Sequence, residues 1–206
     1  MVEIEEIQKL KQIFDNEIYS IVKYGFGKRN ILVVLKDGFN IAYLMKIKPF
    51  IRKLKKNNNI VVVSRKSLIT NNIDILNIKL TSATIYGPDV FKGMEFDTSK
   101  IKKQIEYEAN KTLINLKNDL LSKKWSWEQK KLLFSSIPRM LPLIIAHLYV
   151  KGDKIPNAIP DTINKYVKHN PDAAVLLRIR RDISNDQLIK FYDELFHLLQ
   201  GLAEKV

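Results

Sequence analysis

The chain contains no cysteine. That absence removes disulfides, zinc–thiolate sites and thiol nucleophiles together. Histidine is scarce as well. Only His147, His169 and His197 occur, far apart in sequence, which argues against a histidine-built metal site. No run approaches the roughly 18–20 uninterrupted apolar residues of a membrane span. The longest apolar patch, Met140–Val150, is short and interrupted by Pro142 and His147. The opening residues, MVEIEEIQKL, are acidic and amphipathic, unlike a secretory signal. The expectation is a cytoplasmic protein that does not engage a membrane. Phosphate-loop signatures are also lacking: Gly25-Phe26-Gly27 has no third glycine, and the Lys-Ser/Thr of a P-loop does not follow it. Finally, no acid occurs between Glu17 and Asp37.

Positive charge, by contrast, is abundant. The 206 residues carry a net charge of +13, with a hydrophobic share of 46% that suffices for a buried core. Between Lys23 and Lys79 there are thirteen basic residues against two acids, Asp37 and Asp74. The densest part is Lys46, Lys48, Arg52, Lys53, Lys55 and Lys56. Such a concentration attracts nucleic acid or another polyanion. Lys, Asn and Ile are frequent throughout, however, so composition alone does not separate a binding surface from a biased residue usage.

The periodicities divide the chain near Asp97. Apolar residues at Ile4, Ile7, Leu10, Ile13 and Phe14 predict a helix. Ile18–Tyr24 and Asn30–Lys36 read as strands around the Gly25/Gly27 turn. A helix is expected over Ile41–Lys56, capped by Asn40 and interrupted by Pro49, followed by a strand at Ile60–Val63. Ile73–Leu80, IDILNIKL, alternates and reads as a strand that Ala83–Tyr86 continues or pairs with. Beyond Gly93 the pattern turns helical: Asp97–Leu121, Trp127–Val150 with Pro138 and Pro142 inside, short helices at Asp161–Lys168 and Asp172–Arg181, and Asn185–Glu204 capped by Ser184. The predicted class is α+β, a mixed-sheet α/β domain over 1–96 and an all-α bundle over 97–206.

That order of elements, with NILVVL at Asn30–Leu35, ILNIKLTSATIYGPDVF at Ile75–Phe91, IEYEANKTLINLKNDLL at Ile105–Leu121 and the apolar stretch Leu132–Pro156, resembles the polymerase-β-like nucleotidyltransferase superfamily. More narrowly it is similar to bacterial and archaeal members with a helical C-terminal domain. The resemblance implies a Gly-Ser turn that meets nucleotide phosphates, two acids one residue apart on the second strand and a third on a later strand, holding two magnesium ions for in-line transfer. Here Phe26 stands at the Ser position, and Lys28 and Asn30 stand at the paired-acid positions. Asp74 is the one carboxylate left, near the third position. An ammonium, an amide and a single Asp carry too little negative charge for two dications. The resemblance therefore implies a degenerate, non-catalytic homologue with no cofactor.

Three functions follow as expectations. The first is a nucleotide-, phosphate- or partner-binding module, with Gly25, Gly27, Lys28, Arg29 and Asn30 as a metal-free phosphate site. The second is an active magnesium-dependent nucleotidyltransferase using Asp74 and ligands not identifiable here. The third is a nucleic-acid binder acting through the basic surface of Lys46–Lys56. Other constellations are weaker. Seven residues separate Arg139 from His147, which misses the Arg-x₄₋₆-His spacing of HEPN ribonucleases. Trp125 and Trp127, beside Lys123 and Lys124, could stack bases or close a helix junction. Arg178, Arg180 and Arg181 form a short basic cluster. The helical part could also pair with a protein partner or a second copy.

Overall fold

A computed structural model describes residues 2–26, 30–36, 41–54, 59–68, 72–123, 126–179 and 183–204. The class is α+β, with a four-stranded mixed sheet and a set of helices. The chain forms two compact units: residues 1–70 with 78–95, and residues 71–77 with 96–206.

In the first unit, helix α1 (Val2–Phe14) leads into strand β1 (Ile18–Lys23), which pairs antiparallel with β2 (Asn30–Leu35). Helix α2 (Ile41–Leu54) then crosses to β3 (Asn59–Ser64), which runs parallel to β2. β4 (Ala83–Tyr86) adds antiparallel to the other side of β1, giving the order β3-β2-β1-β4. The continuous apolar run of β2 fits its central place, since a strand covered on both faces has no polar side to show; Ile31 through Leu35 are all buried. Leu10 and Phe14 of α1 and Ile47 and Ile51 of α2 pack on one sheet face, over Ile21, Ile31, Val33 and Ile60. Tyr43 ties the two helices by donating its hydroxyl to the Phe14 carbonyl at 2.8 Å.

The loop after β4 depends on Gly87. Its φ is +77°, and a Cβ there would lie 2.2 Å from the carbonyl oxygen of Tyr19. Only glycine fits both constraints. Beside it, buried Ser20 donates to the Tyr86 carbonyl at 3.0 Å.

One expected strand is a helix. Ile73–Leu80 forms α3, not an extended segment. Asn72 decides this locally: its side chain accepts the Ile75 N–H at 2.8 Å and its carbonyl accepts the Leu76 N–H at 3.0 Å. Gln104 takes the Ile73 N–H at 2.9 Å. Two of the orphan donors of a helix start, the Ile73 and Ile75 N–H groups, are thereby satisfied, and the Leu76 bond is the first of the helix ladder. The alternating pattern is compatible with this because Ile73 and Leu76, three apart, lie buried together with Ile75.

The second unit is built on α4 (Thr98–Ser122) and α5 (Ser126–Val150), with α6 (Ile159–Val167), α7 (Val175–Arg178) and α8 (Asn185–Glu204) around them. Asp97 caps α4 by accepting from Ser99 and Lys100 N–H groups. Ser184 and Gln187 form a reciprocal capping box at the start of α8. Ile101, Ile105, Ala109, Leu113 and Leu116 line the buried side of α4, at the three-and-four spacing of an amphipathic helix. Trp127–Val150 of α5 is long and apolar enough to cross a membrane by length and composition, although Glu128, Lys130, Lys131 and Arg139 keep it from being an uninterrupted apolar run. Half of that stretch is buried inside the structure. Leu133, Met140, Ile144 and Leu148 are fully or almost fully covered, as in the core helix of a bundle.

Candidate nucleic-acid interface

Helix α2 carries no acid in its fourteen residues, IAYLMKIKPFIRKL. Its buried side takes Ile47 and Ile51, with Tyr43 and Leu44 partly buried beside them. Lys46, Lys48 and Arg52 are all exposed, and none of them makes an ion pair with a described residue. Three large apolar side chains share this exposed surface: Ile41 at 78%, Met45 at 60% and Phe50 at 56% exposure. Helical spacing sorts them into two rows. Lys46 and Phe50 are four apart and neighbour each other. Ile41, Met45, Lys48 and Arg52 follow at intervals of four, three and four. The Lys53 side chain, Lys55 and Lys56 lie outside the described residues.

The turn expected to hold phosphate is only partly described. Gly27, Lys28 and Arg29 lie outside the described residues. Gly25, at φ +72°, donates its N–H to Thr81 Oγ1 at 3.0 Å. Asn30 accepts from Asn59 Nδ2 at 3.3 Å. Of the two glycine N–H groups expected to meet a phosphate, the described one, Gly25, already has a protein partner.

Asp74 is not at a strand end. It is exposed in the first turn of α3, in the second unit, where it shares an open groove with Tyr107, Glu108, Lys111 and Arg139. The strand position that the resemblance gave it does not exist, which removes the basis for matching Asp74 to a third metal carboxylate. The described residues do not fit a magnesium pair. Asn30 offers a neutral oxygen already engaged by Asn59, and Asp74 is exposed in the first turn of a helix. No group of three or more His, Asp or Glu side chains that could hold a metal ion occurs among the described residues.

The groove around Asp74 continues along α4 and α5 toward Trp127. Arg139 lies along it, 3.7 Å from Asp119. Lys111, Lys123 and Lys131 supply further cations, and Asp74, Glu108 and Glu128 supply acids. Charges of both signs balance, so the groove has no net pull on a polyanion. Trp127 is 62% exposed at its far end; Lys124 and Trp125 lie outside the described residues. Sequence reading missed this groove because its members are spread over three helices.

His147 is a core residue. It is buried at 3% exposure against Tyr166, whose hydroxyl lies 3.4 Å from Nδ1. Burial lowers its pKa to about 4, and the nearby charges of Lys151, His169 and Lys102 push the same way. Burial likewise pushes the Tyr166 hydroxyl up to about 12. At the surface nearby, His169 Nε2 and Asp153 meet at 2.6 Å while Lys165 sits 3.1 Å from the same carboxylate. The Lys165 hydrogen bond, with the His169 one, holds Asp153 below its usual range. Arg178 pairs with Glu194, and Arg180 and Arg181 lie outside the described residues.

No protein-family model matches the chain, and no curated protein matches it.

Proposed function

We propose that the protein is a cytoplasmic binding module for nucleic acid, and that the exposed face of α2 contacts the phosphate backbone. One observation carries this reading: three outward cations, Lys46, Lys48 and Arg52, have no ion-pair partner among the described residues and stand on a helix without an acid. Each unpaired cation can release a condensed counterion when it meets a phosphate. Phe50 beside Lys46 adds a ring on which an unstacked base can lie, which favours single strands over duplex. On this reading the likeness to nucleotidyltransferases is one of chain order, without turnover. The support for that part is the chemistry at the β1–β2 turn: no acid nearby in sequence, and a Gly25 N–H given to Thr81.

The test is fluorescence anisotropy with a labelled single-stranded oligonucleotide and its duplex across a salt series. Affinity should fall linearly in log–log form. Neutralising K46Q, K48Q and R52Q together should reduce the slope for the single strand by about 2, since each phosphate contact contributes roughly 0.7. Phe50→Ala should weaken single-strand binding and leave duplex binding as it is. An unaltered slope in the triple variant would show that α2 is not the contact.

A further inference from the structure

Helices α4 and α8 pack against each other in the second unit, and their outward faces differ in charge. On α4, Tyr107, Ile114 and Leu121 recur every seven residues and are 64%, 58% and 86% exposed. Seven residues are close to two helical turns, so these three form one straight row. The exposed residues flanking the row are Lys100, Lys103, Asn110, Lys111, Lys117 and Asn118, with Glu106 as the exposed acid beside them; Lys111 also pairs with Glu108 at 3.1 Å and Lys100 approaches Asp97 at 3.9 Å, so the row keeps a cationic excess carried by Lys103 and Lys117. On α8, Ile189 is 76% exposed, and its neighbours on the same face are Asp186, Asp193, Gln200 and Glu204, with one exposed cation, Lys190, between Asp186 and Asp193. His197 and Asp193 approach to 3.7 Å on that face. Glu194, the remaining acid of α8, is turned aside to Arg178.

The two helices run antiparallel. The Lys117 ammonium lies 5.3 Å from the centre of the Phe196 ring, and Tyr192, one turn earlier on α8, donates its hydroxyl at 2.6 Å to the carbonyl of Gln129, beyond the end of α4. One surface thus carries a basic row with apolar members beside an acidic row with an apolar member.

We propose that this α4/α8 face is the interface of a symmetric homodimer, in which α4 of each copy lies on α8 of the other. The charge pattern selects both the occupant and the arrangement. A two-fold axis parallel to the helices brings each lysine row over the other copy's acids and runs the facing helices antiparallel. The alternative axis, across the helices, sets α4 on α4 and faces lysines with lysines, which is repulsive. A self-complementary patch of this kind is what a two-fold interface requires. Burying Tyr107, Ile114, Leu121 and Ile189 supplies the apolar part, and the opposite charges set the register.

The test is sedimentation equilibrium on the full chain without nucleic acid, so that its result is separate from the α2 reading. The wild type should show a reversible monomer–dimer equilibrium that loosens with salt. Lys111→Glu with Lys117→Glu should give a monomer, as should Asp193→Lys with Glu204→Lys. Mixing the two double variants should restore a dimer, because acids again face bases. Circular dichroism checks that each variant is folded. A neutral truncation, Leu121→Ala, should raise the dimer dissociation constant at least several-fold without changing charge. A wild type that stays monomeric at sub-millimolar concentration and low salt, or folded double variants that dimerise as the wild type does, overturns the proposal.

Discussion

Gly87 and Gly93 have nearly the same backbone, φ +77° and +73°, but different surroundings. A Cβ at Gly93 meets nothing within 4 Å, so Gly93→Ala bears only the left-handed strain, roughly 1–2 kcal/mol. At Gly87 the same Cβ would collide with the Tyr19 backbone, and the β1–β4 pairing would have to shift. Gly87→Ala should therefore cost clearly more, about 3 kcal/mol or above. Urea unfolding of the two variants reads the difference, and equal losses would mean the Tyr19 contact is relieved at no cost. His147 gives a second residue-scale expectation. Its pKa in the fold is lowered to about 4 from 6.5, so the unfolded chain binds the proton first as pH falls. Stability is present above pH 6.5 and is lost progressively toward pH 4, by about 3 kcal/mol. His147→Leu should remove this part of the slope between those pH values. A variant with the wild-type slope would show that other groups carry it.

At the scale of elements, the sequence reports most helices and strands because their patterns are long or uninterrupted. α4 shows five apolar positions in one face with no Gly or Pro, and β2 is a six-residue run with no competing reading. Ser184, read as a cap, does cap α8. Segment 73–80 is different: its eight residues satisfy both a two-residue and a three-residue period, so the pattern alone does not choose between strand and helix. The signal that would have resolved it was Asn72 just ahead of an acid in the first turn, a helix-start pattern. Gln104, which completes the start, comes from α4 and was invisible at that range. The candidate site was legible to the same extent. The absence of acid from α2 can be read from its letters, whereas the lack of ion-pair partners for Lys46, Lys48 and Arg52 among the described residues needs the fold. If Asn72 holds α3 as described, Asn72→Ala should cost about 1 kcal/mol. It should also speed hydrogen exchange at the Ile75 amide ahead of amides in α4. Unchanged exchange at Ile75 would show that the cap is not what fixes α3.

For the whole molecule, 35 basic residues oppose 22 acidic ones, and a net charge of +13 repels itself in any compact state. The described ion pairs are mostly at the surface, where each is worth little. Screening should therefore relieve more repulsion than it removes attraction, and the thermal midpoint of the free protein, read at a concentration low enough to keep it monomeric, should rise with salt. Bound oligonucleotide should raise the midpoint too, by mass action, but most at low salt where binding is tightest. The curves for free and bound protein against salt should thus converge from opposite sides of the charge balance. Replacing Lys46, Lys48 and Arg52 by Gln removes three charges from the excess, so its free midpoint at low salt should start above the wild type and its oligonucleotide increment should shrink. Calorimetry across a salt series reads all four curves. A free midpoint that falls with salt would mean that ion pairs outweigh repulsion, and the excess charge would then lose its place as the physical basis of polyanion binding.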